Sequence, residues 1–135
     1  MKSELAALLT ELRRGQRQQS GLKPGLVPPD TATAYDIAAM VARELGWSVG
    51  GWKIAAMKEE MQRALRTDAP IYGRVYRQFV VPSPVTLEWT TLLRPLAEIE
   101  YAALLALDLP PRSTPYSQDE VGEAVASLHP GMEIA

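Results

Sequence analysis

The chain has 135 residues, 47% of them hydrophobic and 22% charged, a composition that fits one soluble globular domain of ordinary size. A formal net charge of −2 gives no basic footprint for nucleic acid or for an anionic membrane surface. The absence of cysteine excludes disulfides, thiolate metal sites and a cysteine nucleophile.

No window is apolar for the length a bilayer crossing needs. The opening "MKSELAALLTELRRGQRQQS" is not a signal peptide, because its apolar residues are spaced rather than continuous. A cytoplasmic protein with no membrane partner is the expectation.

Leu5, Leu8, Leu9 and Leu12 fall at the spacing of an amphipathic helix. The connector "GLKPGLVPPD" reads as an extended loop stiffened by Pro28 and Pro29. A second helix follows on Ala34, Ile37, Ala38, Val41 and Leu45, with Gly46 as its C-terminal cap. Residues 1–46 thus form a helical region.

Beyond it, "WSVGGWKIA" is β-branched and aromatic and predicts a strand with a bend. "MKEEMQRAL" predicts a short helix through Met57, Met61 and Leu65. "PIYGRVYRQFVVP" predicts a strand with Gly73 as a bulge or turn. Ser117 and Glu120 have capping-box spacing, and Val121, Ala124, Val125 and Leu128 extend a helix that Pro130 stops. The order of elements is that of an α+β fold.

The stretch "LRPLAEIEYAALLALDLP" sets two carboxylates, Glu98 and Glu100, at the head of an apolar run. In a helix they would point about 200° apart, whereas in a strand they share one face. A strand here is apolar on both faces, which predicts burial on both sides, with the acids entering the core. Two like charges in that setting call for a compensating cation, and oxygen-only ligands suit Mg²⁺ or Mn²⁺. The pattern E-x-E is common, and spacing alone fits a solvent-facing strand end or an ordinary helix as well.

Other candidates read blandly from the residues. Lys53 alternates with Trp52 and Ile54, as a surface lysine on a strand does. His129, the one histidine, falls at a helix end where its charge would offset the helix dipole. Trp47, Trp52 and Trp89 read as packing residues, and Glu133 as a solvated charge near the terminus.

Five collinear stretches add a resemblance: "TAYDIAAMVARELG", "GGWKIA" followed by "MQ", "APIYGRV", "RPLAEIEYAALLALDLP" and "YSQDEVGEAVASLHPGMEIA". Together they make the chain similar to the 2-oxopent-4-enoate hydratase group of the fumarylacetoacetate hydrolase family, from about Thr33 to Ala135. The resemblance implies that Glu98, Glu100 and Glu133 bind a divalent metal, and that Lys53 faces the metal-bound substrate as the catalytic cation. It implies a lyase of aromatic-compound catabolism that adds water to a 2-hydroxy-2,4-dienoate to give a 4-hydroxy-2-oxo acid. A C–C hydrolase or a 2-oxo acid decarboxylase on the same metal site is the alternative within the family, and a non-catalytic partner-binding module the alternative outside it.

The match departs from the family in three places. "IAAMKEEMQ" follows Lys53 where the family has small residues, Ile71 stands where many hydratases carry an acid, and the match stops at Ala135. The expectation is therefore an N-terminal portion: residues 47–135 as the first part of a β-rich catalytic domain, with little activity alone. A homo-oligomer, or a complementing C-terminal segment, is the implied partner besides the 2-oxo acid.

Overall fold

The computed structural model describes residues 1–135, which divide into two compact units, Met1–Leu93 and Arg94–Ala135. Helices and short antiparallel strands make the fold α+β.

In the N-terminal unit the first two helices are α1 (Lys2–Arg14) and α2 (Thr31–Glu44). The predicted stripes drive their packing: Leu5, Ala6, Ile37 and Val41 are buried with Leu26, and Leu8, Leu9, Met40 and Leu45 close around them. Leu26 reaches this core from a single 3₁₀ turn, Pro24–Leu26, set within the connector. Asp30 caps α2 by accepting a hydrogen bond from the Thr33 backbone N–H at 2.7 Å, and that bond holds its carboxyl below the usual range.

At the other end of α2, Gly46 has φ +68°. Its N–H reaches the Arg43 carbonyl and the Trp47 N–H the Ala42 carbonyl, the two bonds of a Schellman cap. Gly46 was expected to end the helical region, and it lies inside this unit, between α2 and the first strand.

Strands β1 (Val49–Ala55) and β2 (Ile71–Tyr76) pair antiparallel, with α3 (Glu59–Leu65) between them in sequence. The bulge falls on β1 between Val49 and Gly51, not at Gly73, which sits in regular register opposite Lys53. Gly50 is the residue the bulge leaves unpaired, and it lies close to Arg77: a Cβ there would come within 2.9 Å of Arg77 Cγ. Trp47 packs against Tyr76 and Phe79, and Tyr35 of α2 stacks on Tyr72. Trp52 packs edge-on against Tyr72 and under Arg74 although it is exposed, and Trp89, expected to be a core or packing residue, is exposed.

The C-terminal unit holds β3 (Ala97–Leu105), α4 (Gln118–Ala124) and β4 (Val125–Ile134). The capping box is present, with Ser117 and Glu120 bonded reciprocally. Arg112 fastens the loop before it, with both terminal nitrogens on Glu120 at 2.7 and 2.8 Å, its Nε on the Thr114 carbonyl, and its Cζ 3.6 Å from the centre of the Tyr116 ring.

Two expectations fail in this unit. The last helix ends at Ala124, so Val125, Leu128, His129 and Pro130 lie in a strand. Residues 127–134, Ser-Leu-His-Pro-Gly-Met-Glu-Ile, alternate strictly between polar or small and apolar, and β3 supplies a partner for that period. Pro130 fits because Leu96 and Ala135 exchange both backbone bonds, which puts the Tyr101–Pro130 pair at a position that needs no proline N–H.

The second failure is burial. β3 is not covered on both faces: Ile99 is 78% and Tyr101 90% exposed. Within this unit the only other element is α4, about 10 Å long against roughly 30 Å of β3, and it buries Ala124 alone.

Candidate metal centre

The antiparallel register decides what the two faces of the β3–β4 ribbon carry. Directly opposed residues share a face, and successive pairs alternate between faces. The pairs Ala97–Ile134, Ile99–Met132, Tyr101–Pro130 and Ala103–Leu128 make one face apolar save for the Tyr101 hydroxyl. The pairs Glu98–Glu133, Glu100–Gly131, Ala102–His129 and Leu104–Ser127 make the other, which holds all three acids, His129 and Ser127.

On that second face Glu98, Glu100 and Glu133 each offer a carboxylate oxygen, and these oxygens all lie within 4.8 Å of one another. All three residues are half-buried, while the apolar neighbours in sequence are exposed, so the acids are the better sheltered set. Three hard oxygen donors gathered at this separation are what a divalent cation of the Mg²⁺, Mn²⁺ or Ca²⁺ kind takes from protein. Glu98 and Glu133 stand directly across the strand pair, an arrangement of like charges that a cation between them would compensate.

Gly131 shapes the same face. It stands opposite Glu100 with no side chain, and a Cβ there would meet only the Glu100 carbonyl oxygen, at 3.9 Å. The result is a notch between Glu133 and His129 on β4. His129 borders it, with its Nε2 and the Ser127 hydroxyl sharing a hydrogen bond of 2.8 Å.

Lys53 lies in the N-terminal unit, half-buried on β1 and paired with Gly73. The expected alternation holds, since Trp52 pairs with Arg74 and Ile54 with Tyr72. The exposure is reversed: Trp52 and Ile54 are the exposed residues and Lys53 the partly sheltered one.

Sequence reasoning assigned His129 to a helix terminus and so missed its place on the acid face. The strict alternation of residues 127–134 was the signal that could have found it. A scan of the sequence against models of known protein families returns no match. No helix of the chain is long and apolar enough to cross a membrane.

Proposed function

We propose that the chain carries the metal centre of a divalent-cation-dependent lyase acting on 2-oxo acids, of the 2-oxopent-4-enoate hydratase type. One observation supports this most: Glu98, Glu100 and Glu133, which the sequence resemblance groups, stand on one face of one ribbon with their oxygens within 4.8 Å. They would hold Mg²⁺ or Mn²⁺, which supplies Lewis-acid polarisation of a 2-oxo acid and a template for orienting it.

The chain's own residues then have distinct tasks. The three carboxylates would hold the cation, and the Gly131 notch would leave room on the same face for a small planar ligand. Lys53 is carried over from the resemblance as the cation for the substrate carboxylate, or for charge developing on the 2-oxo oxygen. The substrate class is a 2-hydroxy-2,4-dienoate and its 2-oxo form, and the product a 4-hydroxy-2-oxo acid. A cytoplasmic, homo-oligomeric protein of aromatic-compound catabolism goes with this reading.

The test is metal-dependent ligand binding. With Mg²⁺ present the chain binds oxalate, a planar mimic of a 2-oxo acid, and without Mg²⁺ or in Glu100→Gln it does not. Oxalate binding that ignores the metal, or none under either condition, would favour the non-catalytic module instead. Product analysis with the dienoate then separates hydratase from hydrolase or decarboxylase.

A further inference from the structure

His129 shares the face of the ribbon that carries the three acids. It is opposite Ala102, one same-face position along β4 from Gly131 and two from Glu133. Same-face neighbours on a strand are about 6.6 Å apart, so His129 stands about one such step from Gly131 and two from Glu133. The flanking residues are small, Ala102 across the pair and Gly131 beside it, and neither fills the space between histidine and acids.

The ring is also oriented. The Ser127 hydroxyl, on the same face but on the side of His129 away from Gly131, shares a 2.8 Å hydrogen bond with Nε2, which leaves Nδ1 as the nitrogen open for proton transfer. Glu98, Glu100 and Glu133 are the titratable groups that share this face of β3 and β4. A 2-oxo acid reacts through loss and gain of a proton at the carbon next to its carbonyl, so the site needs a group that carries one. Carboxylates committed to a cation are poor carriers, whereas an imidazole beside the ligand space suits the task.

We propose that His129 is the proton-handling catalytic residue of this site, acting on a 2-oxo acid seated over Gly131. The proposal rests on the metal-centre reading above. In the step, the imidazole takes a proton from C3 of the 2-oxo acid. The C–H electron pair becomes the C2–C3 double bond, and the carbonyl π pair moves to the oxygen. The reverse step returns a proton to carbon, so nothing is oxidised and the imidazole recovers its starting state.

The experiment uses the full chain with Mg²⁺ and 2-oxopentanoate in D₂O, following exchange of the C3 hydrogens by NMR. Mn²⁺ binding is measured in parallel. The chain has one histidine, so oxalate added to the Mg²⁺-loaded protein reports on a single set of ring signals. Those signals are expected to shift. His129→Gln, at an exposed position, is expected to bind Mn²⁺ as the native chain does and to slow C3 exchange on the order of 100-fold.

The inference is overturned if His129→Gln exchanges within about twofold of the native chain, well short of the usual general-base effect. It is equally overturned if the native chain holds metal and oxalate but gives unmoved ring signals, or no exchange above the solution rate. In those cases the metal reading stands. Absence of Mn²⁺ binding in the native chain overturns both.

Discussion

Glu98 on β3 and Glu133 on β4 face each other as a directly opposed pair, 35 positions apart in sequence, with Glu100 one same-face step away. That pairing turns an unremarkable E-x-E and an acid near the C-terminus into one cluster of carboxylate oxygens within 4.8 Å. Because the cation would bind only the paired ribbon, it should stabilise that unit. At a Mg²⁺ concentration about 100 times Kd the gain is about 2.7 kcal/mol. Urea unfolding followed on the C-terminal unit should show it in the native chain and not in Glu133→Gln.

The Arg112–Glu120 clamp predicts an acid-dependent loosening of the loop before α4. The two guanidinium bonds, together with the Ser117 backbone N–H, pull the Glu120 carboxyl down to about 2 from a usual 4.5. A carboxyl lowered on folding contributes stability that is complete above its unfolded value and fades as pH falls through the folded one. Protection of the amides over residues 110–120, taken relative to the unfolded exchange rate at each pH, should therefore stay high above about pH 4.5 and fall as the pH approaches 2. Glu120→Gln should show the lower protection already at neutral pH.

The cap after α2 predicts a backbone cost with no steric one. At Gly46 a Cβ would meet nothing within 4 Å, yet the residue holds φ +68°. Gly46→Ala should destabilise the N-terminal unit by about 1 kcal/mol, and Gly46→Asn by less, in urea titration.

Core truncation should be far more damaging. Ile37 is 2% exposed and sits among Leu5, Leu26 and Val41, the residues that hold α1 to α2. Ile37→Ala should cost about 2–5 kcal/mol in the same titration, and Ile37→Val about 1 kcal/mol.

How much of this was legible in the sequence depended on whether a local signal had a competitor. α1 and α2 stood out because leucine and isoleucine recur at the helical period with a clear cap at Gly46. The strand at Glu98–Glu100 was not decided by the residues themselves, since alanine and leucine favour a helix and the spacing fits either; the family resemblance pointed to a strand there. Its exposure was not legible, since apolar content on both faces reads as burial and says nothing of whether another layer is at hand. The final segment was misread because Val121, Ala124, Val125 and Leu128 fit a helical stripe. Only the pairing with β3, a non-local choice, favours the strand period from Val125 onward. That misreading hid His129 from the site, while Glu133 was included only through the family resemblance.

The most direct test is a Mn²⁺ titration of the chain followed by electron paramagnetic resonance, with Glu98→Gln, Glu100→Gln and Glu133→Gln alongside. The account predicts one saturable Mn²⁺ per chain, displaced by Mg²⁺ and lost or weakened on the order of 100-fold in each variant. A native chain that leaves Mn²⁺ free in solution, or variants that bind it as well as the native chain does, would contradict it.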